Sequence, residues 1–186
     1  MTLVSALLGA DGREARFEDG GTPGEAELRR ARAAAGRFPA DGARVVRSPS
    51  PRCLATAGAL GHPAEPVAEL AGCGMGRWRG RTLAEVAAAE GGEVARWLAD
   101  PAAAPHGGES VLALVGRVGG WLDALPADGP RVLAVVEPDV VRAAVLHALA
   151  VPGPAFWRLD VEPLSATVLT GRLGRWNVRL AAAGAA

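Results

Sequence analysis

Two carboxylates flank a proline at Glu137-Pro138-Asp139, immediately after the apolar run Val132-Leu133-Ala134-Val135-Val136. A short β-branched run with no polar interruption reads as a strand buried on both faces, and a helical pattern starts at once behind it. A strand that feeds a helix N-terminus is where open α/β folds collect their ligands. Asp139 suits the cap of that helix and its dipole. Glu137 sits at the end of a buried strand and needs a partner. Arg52 and Arg47 are the candidates, and an internal Glu137–Arg52 ion pair stands beside a role for Glu137 in binding. His106 and Glu109, just ahead of a helix start at Ser110, complete a set that could move protons or hold a cation or an amine. Glu109 reads as a first-turn helix residue and His106 as exposed in its turn. Cys73, between two glycines, reads as a flexible, exposed thiol with no base near it in sequence.

The chain has three histidines, His62, His106 and His147. His62 lies in a Gly-His-Pro turn, His147 inside a helical stretch and His106 in a loop. None directly follows an apolar strand, so none is expected at the carboxyl edge of a sheet as a covalent carrier.

Alternating elements must position these groups. Leu3–Leu8 reads as the first strand. Thr22-Pro23, with Glu25 after them, reads as the start of a helix ending near Pro39. Ala43–Val46 reads as a second strand and Ser50-Pro51 as the cap of a helix through Leu60. Pro66–Leu70 reads as a short third strand. A Gly- and Arg-rich loop, 72–81, carries Trp78 toward the core between Arg77, Arg79 and Arg81. Thr82-Leu83-Ala84-Glu85 is a capping box for one short helix, and Glu93–Leu98 reads as a second. Val111, Leu114, Val115, Val118, Trp121, Leu122 and Leu125 trace one face of a long helix. Phe156–Val161, Ala166–Leu169 and Asn177–Ala181 alternate as strands. Strands alternating with helices predict an α/β fold: a three-layer α/β/α sandwich, its sheet mostly parallel with an antiparallel edge strand. One domain over 1–186 is expected, with a small helical lid within 81–108.

The chain is electrically balanced, 20 basic against 20 acidic residues, which gives no basis for a nucleic-acid or anionic-membrane partner. Its two cysteines, Cys53 and Cys73, make neither a disulfide framework nor a metal-type pair, so no metal or other cofactor is expected. The N-terminal apolar run is short and lacks a basic flank, which predicts a cytoplasmic protein. An exposed edge strand offers a route to a homodimer.

Five segments, taken in order, resemble the histidine phosphatase superfamily, its phosphoglycerate-mutase-like branch. Arg47-Ser48-Pro49-Ser50-Pro51-Arg52-Cys53-Leu54-Ala55-Thr56-Ala57 is similar to the family's Ser-Pro-Leu-x-Arg-Ala-x-x-Thr-Ala. Gly76-Arg77-Trp78-Arg79-Gly80-Arg81-Thr82-Leu83 resembles its Phe-Gly-x-Trp-Glu-Gly loop, and Gly107-Gly108-Glu109-Ser110 its Gly-Gly-Glu-Ser helix start. Val140–Ala143 and Phe156–Leu159 continue the match. The resemblance implies a nucleophilic histidine in an Arg-His-Gly motif after the first strand and a second histidine after the fourth. It also implies two phosphate-binding arginines and a glutamate acting as acid and base. With Arg13–Phe17 setting the register, the motif falls on Ser5, Ala6 and Leu7, so Ala6 takes the nucleophile's position. A phosphate-binding asparagine falls on Gly12, the acid/base on Gly72 (beside Glu69), and the second histidine on Glu137. Arg52 alone persists.

The expected function is therefore a binding or regulatory pseudoenzyme that has lost phosphoryl transfer. Its ligand positions would be Arg52, Arg47, Ser5 and Glu137. Two carboxylates would repel a phosphate by several kcal/mol at an effective dielectric of ~20, so a cationic or amine-bearing small molecule is the expected ligand. Two alternatives stand beside it: a repurposed enzyme using Glu137, Asp139 and His106 for non-phosphoryl acid–base chemistry, and a residual phosphatase carried by His106 or by a residue the motifs do not identify.

Overall fold

The computed structural model describes residues 1–9, 15–17, 21–172 and 174–179, and the structural statements below concern these. Arg13 and Gly12, used to set the motif register, lie outside them. One sheet holds six strands in the order β3-β2-β4-β1-β5-β6. They are β1 (Thr2–Ser5), β2 (Ala43–Arg47), β3 (Glu65–Pro66), β4 (Arg131–Val136), β5 (Ala166–Arg172) and β6 (Arg175–Arg179). The first four run parallel, and β5 and β6 add an antiparallel margin. The helices are α1 (Glu25–Ala34), α2 (Pro51–Ala59), α3 (Leu83–Ala99), α4 (Val111–Asp123) and α5 (Pro138–Leu149).

β4 lies between β2 and β1, with Leu133 level with Val45 on one side and Thr2 on the other. Both of its faces are covered, which is why its sequence is an unbroken apolar run. Val132, Ala134 and Val136 join the core formed with α3, α4 and α5, whereas Leu133 and Val135 join the core formed with α1 and α2. The α/β/α sandwich expected from the alternation is the observed fold. Among the described residues no helix is long and apolar enough to cross a membrane.

Local signals decide most helix starts. Ser50 caps α2 by accepting from the Cys53 amide at 3.2 Å, with Pro51 as the first helical residue. Thr82 and Glu85 exchange bonds at 3.1 and 2.7 Å, the reciprocal capping box of α3. Ser110 caps α4 through the Ala113 amide.

Several expectations need correction. The apolar N-terminal strand stops at Ser5 because the chain turns: the Ala6 amide still donates to Val136 O, but the Leu7 amide donates to Thr56 Oγ1. α1 is capped by Gly24, with no side-chain bond, rather than by Thr22. The third strand is two residues long and gives way to a 3-10 turn at Ala68–Leu70. Phe156–Val161 is no strand. Pro152 and Pro154 open a 3-10 helix over Gly153–Arg158, which buries Phe156 and partly buries Trp157. The antiparallel edge has two strands where one was expected. The last predicted strand ends at Arg179, and its residues 180 and 181 lie outside the described ones.

The two lid helices are one, α3, kinked at Glu90 (φ −140°, ψ 40°). The kink brings Glu90 under the Trp78 loop, where its carboxylate accepts from Arg77 Nε at 3.1 Å, Trp78 Nε1 at 3.1 Å and Arg81 at 3.0 Å. These donors, Arg77 first, hold the Glu90 carboxyl at about 2.

Candidate functional site

The carboxyl edge of the parallel strands brings the candidate residues together. β1 ends at Ser5-Ala6, β2 at Arg47-Ser48 and β4 at Val136-Glu137, and they are stitched by Ala6 N to Val136 O, Ser48 N to Val135 O, and Glu137 N to Ser48 Oγ at 3.3 Å. Above this edge lies a cavity of about 500 Å³. Arg52, Gly72, Cys73, Glu137 and Asp139 form its floor, and Phe17, Met75, Trp97, Phe156 and Trp157 its apolar walls. Arg16, Arg79 and Arg142 also line it.

Glu137 forms the internal pair. Arg52 Nε and one terminal nitrogen each lie 2.6 Å from Glu137 Oε2, with the Glu137 side chain 7% exposed and that of Arg52 20%. Cys53 Sγ lies 3.6 Å from the other oxygen. Burial, and then the adjacent Glu137 charge, push the Cys53 thiol up to about 12, so it stays protonated. Arg47 is not the partner: its guanidinium donates to Ser48 O. Ser5 is fully buried, and its hydroxyl has no hydrogen-bond partner among the described residues. It does not line the cavity.

Asp139 does something the cap reading did not foresee. The N-cap position belongs to Glu137, whose side chain makes no capping bond. Asp139 instead accepts from the Val140 amide at 2.8 Å and, across the crevice, from the Cys73 amide at 2.6 Å. It thus ties α5 to the glycine-rich loop. Burial is the largest influence on its carboxyl and, reinforced by Glu137, raises it to about 6 against the two amide donors. An acid raised in this way stabilises the fold fully below its unfolded value near 4, and that contribution is lost as pH rises through about 6. The stability difference between the wild type and Asp139→Ala should therefore fall by up to about 3 kcal/mol between pH 4 and pH 7, measured by urea unfolding at each pH. A flat difference would show that folding does not raise the Asp139 carboxyl.

Cys73 is not exposed: it is buried, with its thiol donating to Glu109 O at 3.3 Å. His106 is also buried, 1% exposed, its ring 5.0 Å from that of Trp78 and its Nδ1 accepting from the Gly108 amide. It does not line the cavity, nor do His62 and His147. Glu109 is not a first-turn helix residue: it precedes the Ser110 cap of α4 and is gripped by Arg117 at 2.8 and 2.6 Å. Arg117 also donates to the carbonyls of Glu69 and Ala71, so this one side chain fixes the loop that carries Gly72. Sequence reasoning missed Arg117. The available signal was a lone cation interrupting the α4 pattern eight residues after Glu109. Among the described residues no three His, Cys, Asp or Glu side chains gather as a metal-binding group.

Gly72 faces the floor directly. A Cβ there would sit 3.4 Å from both Asp139 Oδ2 and Glu137 Cγ. A glutamate at this position would point a third carboxylate at the other two.

The sequence profile described as Histidine phosphatase superfamily (branch 1) matches residues 24–183. The chain belongs to that superfamily. Its branch 1 match begins after β1, so the segment carrying Ala6 is outside it. Solved structures agree on the fold. A protein described as mycobacterial hydrolase 1 is 24% identical, with a TM-score of 0.81 over 100% of this chain and 98% of its own. A mycobacterial glucosyl-3-phosphoglycerate phosphatase, in complex with VO3, is 23% identical, with a TM-score of 0.83 over 97% and 96%. A putative alpha-ribazole-5'-P phosphatase from Escherichia coli is 16% identical, with a TM-score of 0.83 over 96% and 93%. No curated protein matches the chain in sequence.

Proposed function

We propose that this histidine phosphatase superfamily member is a cytoplasmic binding or regulatory protein that no longer transfers phosphoryl groups, and that its crevice takes an amine-bearing small molecule. The observation that carries the reading is the Glu137–Arg52 pair. An arginine at the sheet's carboxyl edge is the group that would take a phosphoryl oxygen, and here a carboxylate of the chain itself occupies it. Three further positions support it. The residue that follows β1 is Ala6, which has no nucleophilic atom. Gly72 offers no acid or base over the floor. None of the three histidines lines the cavity, and His106 is walled in by Trp78 and Trp97. Glu137 and Asp139 against Arg52 leave the floor one net negative charge when both are ionised, which suits one positive charge on a ligand.

The test is turnover of p-nitrophenyl phosphate by the purified protein, with Glu137→Ala alongside. The expected result is no hydrolysis above the uncatalysed rate. Hydrolysis by the wild type that Glu137→Ala abolishes would overturn the reading. Asp139 favours a second reading, non-phosphoryl acid–base chemistry in the same crevice, because its carboxyl titrates near 6 beside a ligand-sized cavity. His106 takes no part in it.

A further inference from the structure

The sheet has two margins, and they differ. β3 is two residues long and holds Pro66, so it offers a partner almost no edge to pair with. β6, at the other margin, is five residues long and among the described residues pairs only with β5. In an antiparallel ladder every second residue of an edge strand turns its N–H and C=O outward. β6 therefore carries backbone groups that a further strand could take. Its side chains alternate: Arg175, Asn177 and Arg179 are exposed, whereas Trp176 and Val178 are half-buried against the core that α5 shares.

The charge at this margin is one-sided. After Glu162 the chain has no acidic residue, yet it carries Arg172, Arg175 and Arg179. Arg172 and Arg175 stand directly opposite each other in the ladder, an arrangement of like charges that destabilises a strand pair. None of the three arginines has a hydrogen bond or ion pair among the described residues. Asp123, the carboxylate near the turn at Gly174, is already held by Trp176 and His147. A second copy of the chain fits this edge badly. With two β6 strands in full antiparallel overlap about Asn177, Arg175 of each would meet Arg179 of the other. A nucleic acid could meet the arginines but not the backbone edge, and the chain as a whole has no net charge.

We propose that the β6 edge is a docking site for an acidic segment of another protein, which adds to the sheet as one more strand. Backbone bonds hold the segment, and its alternate side chains decide which segment is held. Carboxylates on one face meet Arg175 and Arg179, and apolar residues on the other extend the row of Trp176 and Val178. No residue of β6 lines the crevice, so the inference stands independently of what the crevice binds.

The probe is a fluorescein-labelled peptide, Glu-Val-Glu-Val-Glu, titrated with the full-length protein and followed by anisotropy. The same peptide N-methylated throughout keeps the charge but loses its backbone donors. Lys-Val-Lys-Val-Lys reverses the charge, and a short oligothymidylate stands for nucleic acid. The acidic peptide is expected to bind about tenfold or more tightly than each of these. The double variant Arg175→Glu, Arg179→Glu should lose about tenfold in affinity for the acidic peptide and should gain the basic one. Neither arginine has a partner in the fold, so the unfolding midpoint of that variant should not drop. Hydrogen exchange of the β6 amides should slow when the acidic peptide is added. Equal binding of the methylated peptide would rule out strand addition, and unchanged affinity in the double variant would rule out recognition by the arginines. Binding of oligothymidylate alone would overturn the inference in favour of nucleic acid. A wild type that is already dimeric, with slow β6 amides before any peptide is added, would overturn it in favour of a second copy. No binding of the acidic peptide overturns it outright.

Discussion

Glu137→Ala should destabilise the protein by about 2–4 kcal/mol and at the same time create an oxyanion site that the wild type lacks. Removing one partner of a buried ion pair leaves an uncompensated charge and costs about 3–5 kcal/mol. The Arg52 side chain is 20% exposed, so water screens part of that cost, which sets the lower range. Arg52 has two nitrogens 2.6 Å from Glu137 Oε2. In the alanine variant they face a floor from which one of two carboxylates is gone. Inorganic phosphate or vanadate should then raise the unfolding midpoint of Glu137→Ala, because a ligand that binds only the folded state stabilises by mass action. The wild type should show no such rise. Glu137→Gln separates the two effects: its amide oxygen can still accept from Arg52, so it should cost less stability and bind the anion less well than the alanine variant. Thermal unfolding in increasing phosphate reads both outcomes. A phosphate-dependent rise in the wild type would mean that Arg52 is already available and that the pair does not close the site.

The same pair shows what the sequence could and could not disclose. The strand ending at Val136 was legible because a buried parallel strand must be apolar on both faces, and its carboxyl end falls where α/β folds place ligands. The capping residues Ser50, Thr82 and Ser110 were legible because capping is local chemistry between residues three apart. Glu137 with Arg52 could be raised as one of two pairings but not decided, since 85 residues separate them and only the sheet order brings β2 and β4 side by side. The Asp139–Cys73 bond was invisible for the same reason. His106 was misjudged because a loop rich in Gly and Pro reads as surface, and nothing local says that Trp78 and Trp97 will cover it. Phe156–Val161 was misread as a strand because its apolar spacing resembles alternation, whereas flanking prolines select the tighter helix. The Trp97–Trp157 wall joins residues from a kinked helix and a 3-10 turn, and no periodicity in either marks it.

Gly108→Ala is the second large effect, and it concerns the scaffold under the floor. The segments 74–76 and 106–109 are interlocked: Glu109 N donates to Gly74 O at 2.7 Å, and Arg77 N donates to His106 O at 3.0 Å. A Cβ on Gly108 would overlap Gly74 O and come within 2.7 Å of Gly76 N. These are backbone atoms, which cannot swing aside as the end of a side chain can. Overpacking commonly costs about 1–3 kcal/mol, and a clash between two backbones should reach about 3 kcal/mol or more. Gly107→Ala is the control. Its φ of +74° strains an alanine, but a Cβ there meets nothing within 4 Å, so only the left-handed penalty of about 1–2 kcal/mol applies. If the two segments part in Gly108→Ala, the Cys73 thiol loses its bond to Glu109 O and becomes reachable. Modification of Cys73 by a thiol reagent should then speed up relative to Gly107→Ala, while Cys53, enclosed in the opposite core beneath α2, stays protected. Equal urea midpoints and equal Cys73 labelling in the two variants would show that the interlock is not what holds the loop, and would leave Arg117, with its bonds to Glu69 and Ala71, as the element that does.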